Sequence, residues 1–397
     1  MPSKKNILLI STADWDNPFW TNKQHVAVEL AAIGHRVLYI DSIGLRRPSS
    51  SSQDLKRIFH RITKSFSFPK KVRENLWVLS PIVIPFHTNK FIQKLNRFWL
   101  CSLLYLSARI LKIHFSHLWT YNPLTSLFVD LKNFQFSIYH CVDEIKAQPL
   151  MPLELIEVTE KQLLKETSLV LTTSLELTNS RKPLNPNTFY FPNVCDYNHF
   201  ASALDSSTVI PDDLLSIPSP RVGFIGALSG YKIDFSLLRF IAESHPDWSI
   251  VLIGKVGEGD PWTDISLLNG LPNLYLMGPR SYEQLPSYLK GFDVGLLPNL
   301  INQYTKAMFP MKFFEYLASG TPVVGVELPA LQDFDELAYL EPTHQRFLQA
   351  IEKTLAGDVP DLDARLDAAK KHTYRERTEQ MLLLIDRLQN SDTEIST

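Results

Sequence analysis

Cysteine is scarce: there are three in 397 residues, at positions 101, 141 and 195. Their wide spacing and odd number exclude a disulfide framework and a Cys-x-x-Cys metal site, and they fit a reducing, cytoplasmic compartment. Long apolar runs are missing too. The most apolar stretch, Phe98 to Ala108, ends at Arg109 and is about half the length that spans a bilayer. No apolar run with a cleavage site precedes Ile7, so neither a secretory signal nor a membrane span is expected. An excess of one charge is absent: 40 basic residues face 42 acidic ones, for a net −2, which excludes a chain basic throughout. The first half has no Gly-x-Gly-x-x-Gly run, which argues against a dinucleotide coenzyme there. There is no His-Glu-x-x-His, no Asp-x-Asp flanked by apolar residues and no Cys/His cluster, so no metal is expected.

What is present is an ordinary globular composition, 45% hydrophobic and 21% charged, on a chain long enough for two domains. Short apolar runs alternate with helical patterns, the mark of βαβ units and a parallel sheet. The first unit reads as strand Asn6–Ser11, helix Asn22–Ile33, a stop at Gly34 and strand Arg36–Asp41. Further strands are expected at Trp77–Leu79, Leu118–Tyr121, Ser137–Val142 and Leu169–Thr172. Residues 201–220 are rich in Ser, Asp and Pro and read as a linker. A second alternation follows, with strands at Arg221–Ile225, Ser249–Ile253, Asn273–Met277, Val294–Leu297 and Pro322–Val326. The expected division is therefore an N-terminal Rossmann-like domain over 1–200, the linker, a second such domain over 221–372, and a C-terminal helix and tail over 373–397. Open α/β sheets bind ligands beyond the carboxyl ends of their strands, so a cleft between two facing sheets is the expected site.

The sharpest local signal is Phe309-Pro310-Met311-Lys312-Phe313-Phe314-Glu315-Tyr316-Leu317-Ala318-Ser319-Gly320-Thr321-Pro322-Val323-Val324. Pro310 suits the first position of a helix, Gly320 its end and Pro322 the entry to a strand. A helix start attracts an anion. Lys312 adds a full charge there, and Glu315 can accept hydrogen bonds from hydroxyls. A phosphate beside a sugar fits such a pair; a surface helix with a Lys and a Glu is the plainer alternative.

This segment resembles the donor-binding helix of GT-B glycosyltransferases, especially the large retaining family numbered four. Gly34-His35-Arg36-Val37, Phe191-Pro192-Asn193-Val194-Cys195-Asp196 and Val222-Gly223-Phe224-Ile225-Gly226 resemble other runs of that family, so the likeness extends over most of the chain. It implies two Rossmann-like parallel-sheet domains facing a cleft. It implies that Glu315 meets the ribose of a nucleotide-diphosphate sugar, and that the loop after Ile225 serves the diphosphate. Gly226, Ser229, Gly230, Lys232, Arg280, Tyr304 and Lys312 complete the expected donor set. Ser229 and Gly230 could present backbone N–H groups, as a glycine permits, or form a plain turn. Two departures stand out: Ala227 occupies the place of an expected arginine, and Ala307 that of a glutamate placed near the transferred sugar. Asn299, Asn302, Tyr304 and Thr305 in the same loop could replace some of its hydrogen bonds.

The first domain is expected to hold the acceptor and any catalytic base. Ile138-Tyr139-His140-Cys141-Val142-Asp143 resembles the family's strand that delivers a histidine to the cleft. Either His140 or Asp143 could take a proton from an acceptor hydroxyl or stabilise an oxocarbenium-like transition state; Asp143 is favoured because it follows the strand end. A core role for the histidine and a helix cap for the aspartate are the alternatives. The loop Thr12–Trp20 offers Asp14, Trp15 and Trp20 for stacking on sugar rings and bonding their hydroxyls, or for packing beneath the loop.

Charge is unevenly spread. Residues 45–116 hold 14 Lys or Arg against Asp54 and Glu74, a net +12, with aromatic residues interleaved. Without a nucleic-acid-binding motif, an anionic membrane surface is the expected partner rather than nucleic acid. A solvated basic face with a buried helix at 98–111 is the alternative. The expected protein is a metal-independent glycosyltransferase without a cofactor, peripheral on the inner face of the membrane. It would move a sugar from a nucleotide-diphosphate sugar to a lipid-linked or polysaccharide acceptor in cell-surface glycan synthesis. Its rivals are a nucleotide-sugar 2-epimerase and a non-catalytic scaffold subunit on the same fold.

Overall fold

The computed structural model describes residues 4–17, 20–45 and 68–395. The chain folds into two compact units, 1–191 with 378–397, and 192–377. The first holds an eight-stranded sheet. Its strands are β1 Asn6–Ile10, β2 Arg36–Ile40, β3 Lys70–Arg73, β4 Leu76–Leu79, β5 His117–Thr120, β6 Phe136–Cys141, β7 Leu169–Thr172 and β8 Thr188–Tyr190. They lie in the order β3-β4-β2-β1-β5-β6-β7-β8 and are parallel except at the β3–β4 hairpin. The second unit holds six strands: β9 Arg221–Ile225, β10 Ser249–Ile253, β11 Leu274–Gly278, β12 Val294–Leu297, β13 Val323–Val326 and β14 Tyr339–Glu341. Their order is β11-β10-β9-β12-β13-β14, all parallel. Two parallel-sheet α/β units are what the alternation of apolar runs and helices predicts, because a sheet covered on both faces needs strands apolar on both sides.

Helices of seven or more residues are labelled α1 Asn22–Ala32, α2 Lys90–Leu111, α3 Leu153–Glu166, α4 Leu175–Arg181, α5 Phe235–Ser244, α6 Lys312–Ala318, α7 His344–Leu355, α8 Leu362–Lys371 and α9 Tyr374–Ile395. The division falls at 191/192, ahead of the expected linker. Residues 201–220 are part of the second unit, with Leu214 and Ile217 buried in the same core as Phe313 and Phe314. Their polar composition concealed two apolar anchors inside short turns. The chain ends back on the first unit, where Met381, Leu382 and Ile385 of α9 join the core built on Ile7, Leu9 and Val37. The expected tail boundary at 373 therefore lies a few residues early, since Tyr374 to Arg377 stay with the second unit.

Candidate functional site

In the second unit, two loops leave the carboxyl ends of the neighbouring strands β9 and β10. Glycine lets them approach: a Cβ on Gly254 would stand 1.7 Å from the Gly226 carbonyl oxygen. The contact is extended by Leu228 N–H to the Lys255 carbonyl at 3.0 Å and Gly257 N–H to the Leu228 carbonyl at 2.9 Å. Within this frame the Ser229 hydroxyl donates to the Glu258 carbonyl, and Gly230 N–H donates to Thr263 Oγ1 at 3.0 Å. The Gly230 amide is thus spent on loop structure, contrary to its expected use for phosphate, and Ser229 is fully buried.

Lys232 closes this loop. Its ammonium sits 5.2 Å from the Tyr231 ring centre and 5.1 Å from that of Tyr304, and the two rings meet edge to face. Tyr304 is presented by a single helical turn, Gln303–Lys306, capped by Asn302, whose amide also donates to the Tyr231 carbonyl. The β9 and β12 loops are therefore pinned together around one cation. Sequence reading chose Lys232 and Tyr304 separately and missed Tyr231; an aromatic next to a lysine carries no spacing signal. Ala307 is buried.

Helix α6 begins at Lys312, two residues later than a proline start would place it. Pro310 lies outside, its carbonyl accepting from Phe313 N–H at 3.1 Å. Gly320, at φ +76°, ends the helix in the left-handed conformation that glycine adopts without a Cβ penalty. Lys312 Nζ and Glu315 Oε2 pair at 2.6 Å, with Glu315 nearly buried and Lys312 partly exposed. Burial, with the Glu315 charge as the next cause, pushes the Tyr282 hydroxyl and the Cys195 thiol far above their usual ranges. Glu315 is thus a buried carboxylate paired with Lys312 and set beside groups that hold their protons tightly, and its oxygens can accept from ligand hydroxyls.

Arg280 is placed otherwise than expected. Its guanidinium bonds Asp213 at 2.7 Å, the Tyr288 hydroxyl at 2.6 Å and the Met277 carbonyl at 2.6 Å. These bonds fasten the end of β11 to the 212–215 turn, a structural role where a donor contact is expected.

In the first unit, β6 delivers its two candidates differently. His140 is fully buried, stacked on Tyr121 at 4.8 Å and tilted against Trp119 at 5.9 Å; it is placed as a core side chain. Asp143 follows the strand in a partly exposed loop, and the next residue, Glu144, is locked by Arg181 of α4. Arg181 bonds Glu144 at 2.6 and 2.8 Å and Glu160 at 3.2 Å, and Tyr139 donates to Glu160 at 2.8 Å. Nothing in the sequence pattern links these residues, which are 21 and 37 positions apart.

The loop after β1 is held as much as it could hold. Asp14 accepts from Ser42 N–H at 3.1 Å, and Trp15 N–H donates to Asp41 at 2.7 Å. Trp15 packs on Trp20 and Tyr39, both at 5.2 Å, and Arg73 lies over Trp20 at 5.6 Å. Asp41, unremarked in the sequence, has its carboxyl pushed up to about 6 by burial, against hydrogen bonds from Ser80 and Trp15 N–H, with nearby Asp14 and Asp16 adding to the rise. Among the described residues no group of three or more His, Cys, Asp or Glu is placed to hold a metal ion. Among them, too, no helix is long and apolar enough to cross a membrane.

Comparison with known proteins places this geometry. Residues 219–357 match the family described as glycosyl transferases group 1. A Bacillus subtilis (strain 168) protein named as a teichuronic acid biosynthesis glycosyltransferase, TuaH, is 34% identical over 159 residues, which span 38% of this chain and 40% of that protein. The likeness to solved structures covers nearly the whole length. Sucrose-phosphate synthase from Thermosynechococcus elongatus superposes with a TM-score of 0.68 at 17% identity, over 98% of this chain and 100% of that one. Anabaena HepE in complex with UDP and glucose gives 0.65 at 14%, over 96% and 99%. WaaG, a glycosyltransferase of lipopolysaccharide biosynthesis, gives 0.64 at 13%, over 94% and 98%. The fold is the GT-B fold.

Proposed function

We propose, on the premise that residues 219–357 form a group 1 glycosyltransferase domain within a GT-B fold, that the chain transfers a sugar from a nucleotide-diphosphate sugar to a lipid-linked or glycan acceptor in cell-surface polysaccharide synthesis. The observation that carries this reading is the overlap of the matched segment with the Lys232 loop and the Lys312–Glu315 helix. Lys232 and Lys312 offset the charge of the departing diphosphate, and Glu315 accepts hydrogen bonds from ribose hydroxyls. The reading assigns the charge of the leaving group to these lysines and invokes neither a divalent ion nor a cofactor.

Asp143 is the group that takes the acceptor proton as the C1–oxygen bond to the acceptor forms and the bond to the diphosphate breaks. It follows β6, one strand removed from β1, whose own loop carries Asp14; acceptor contacts are assigned to this end of the first sheet. The name of the Bacillus relative supports a surface glycan as product, and the basic segment supports work at the inner face of the membrane.

The test is a panel of nucleotide-diphosphate sugars read by thermal shift and by transfer or hydrolysis. One donor should stabilise the protein and be turned over. Lys312→Ala and Glu315→Ala should each weaken nucleotide binding about tenfold or more, the size of a lost charge-assisted hydrogen bond. Unchanged binding in both variants sinks the site assignment, and epimerised sugar released without an acceptor would replace transfer by epimerisation.

A further inference from the structure

Helix α2 exposes large apolar side chains on its outward side. At 100° per residue, its three buried residues Asn96, Leu100 and Ser107 mark the inward side, with Ile92, Leu103, Leu104 and Leu111 half-buried beside them. Asn96 is fixed there by a pair of hydrogen bonds with the backbone of Ile84, at 3.0 and 2.9 Å. The outward half carries Phe91, Leu95, Phe98, Trp99, Tyr105 and Leu106, each between 44% and 75% exposed. An amphipathic helix of a water-soluble domain buries its large apolar side chains and exposes its polar ones; here the aromatic side chains face out. The alternative of a buried helix at 98–111 does not describe this face.

Charge identifies what covers this face. From Lys90 to Lys112 there are five cations, at 90, 94, 97, 109 and 112, and no acidic residue. Arg109 donates to the Tyr105 hydroxyl at 3.1 Å and lies over its ring at 5.8 Å, joining a cation to the aromatic stripe. A second copy of the chain would set five cations against five, which opposes pairing. Aromatic rings flanked by cations match an anionic lipid interface, where rings settle among the headgroups and Lys or Arg meets the phosphates. With 22 residues the helix is about 33 Å long, but it does not qualify as a membrane span, so it lies in the plane of the surface.

We infer that the outward face of α2 docks the protein on an anionic membrane by inserting Phe91, Phe98 and Tyr105 between headgroups. This deepens the membrane-side part of the proposed function and rests on that part alone. Residues 46–67, which hold six more Lys or Arg, lie outside the described residues and take no part in the inference.

The test is co-sedimentation of the full chain with vesicles of phosphatidylcholine, with and without phosphatidylglycerol. Binding should require phosphatidylglycerol and weaken with salt. The F91S/F98S/Y105S variant should lose at least tenfold in binding while its melting temperature holds, because these side chains touch solvent. The K94Q/R97Q/R109Q variant should lose about fivefold per cation and its salt dependence. Equal binding by wild type and the apolar variant would overturn the inference. So would a dimer, seen by light scattering, that the apolar variant abolishes. Transfer to a soluble acceptor should persist in both variants; its loss in the wild type as well would instead count against the enzymatic reading.

Discussion

At the Lys232 ammonium, two tyrosine rings at 5.2 and 5.1 Å restrict a side chain that otherwise carries much rotamer freedom. A ring quadrupole holds a cation with about 0.5–2 kcal/mol, enough to keep the lysine aimed without neutralising it. Tyr304→Phe keeps the ring and should leave nucleoside-diphosphate affinity within about twofold. Tyr304→Leu removes it and should weaken affinity by about threefold to tenfold. Calorimetric titration separates the two, and equal affinities would deny the rings a role. Gly254 makes a sharper case: any Cβ there meets the backbone oxygen of Gly226 at 1.7 Å, and a backbone atom has no rotamer to turn away. Gly254→Ala should cost on the order of 3 kcal/mol in denaturant unfolding and displace the 226–232 loop, so nucleotide binding should fall with it. The sequence places a strand end at Ile253, just before this glycine; the atom the glycine makes room for was not legible, because the two residues are neighbours only across the sheet.

Among elements, α9 shows how a terminal helix is attached. Lys5 Nζ pairs with Asp386 at 2.6 Å while its own amide donates to His35 at 3.0 Å, and Gln389 donates to His117 at 3.2 Å. Burial, then the nearby Lys5 charge, lowers both histidines to about 4. A histidine kept neutral in the fold takes up a proton on unfolding below its ordinary 6.5, so the stability it provides is complete above 6.5 and is lost as pH falls towards 4. Asp41, raised to about 6, acts oppositely between its ordinary 3.8 and 6, but one carboxyl is set against two imidazoles. The melting temperature should fall by on the order of 5 °C from pH 6.5 to 4.5. His35→Gln should flatten that slope, and an unchanged slope would place the acid sensitivity elsewhere. The Arg181 fork is the other element-scale device, tying α4 and α3 to the end of β6. Arg181→Met strands two buried carboxylates and should cost about 3–5 kcal/mol, measured by chemical denaturation, whereas restoring neutrality with Glu144→Gln and Glu160→Gln should recover part of it. No periodicity announces an ion pair that joins two helices to the end of a strand.

For the whole molecule, the chain's route sets which part depends on which. The second unit is continuous from 192 to 377, whereas the first is completed by residues 378–397. Truncation after Arg377 removes Met381, Leu382 and Ile385 from the first unit's core, a loss of about 1.5–3 kcal/mol for each buried side chain. Calorimetry should then show the first unit's transition lowered and the second unit's preserved; a common drop would mean that the two melt as one.

The order of residues was enough to establish the parallel α/β class, eleven of the fourteen strands among the described residues and the glycine stop of α6, because these rest on period and on local turn chemistry. It was not enough to establish that α2 would present its rings outward, that Arg280 would turn to Asp213, or that His140 would vanish into a core while Asp143 stayed at a strand end. Those outcomes depend on which residues distant in the chain come to lie beside them, and that is settled by the folded backbone.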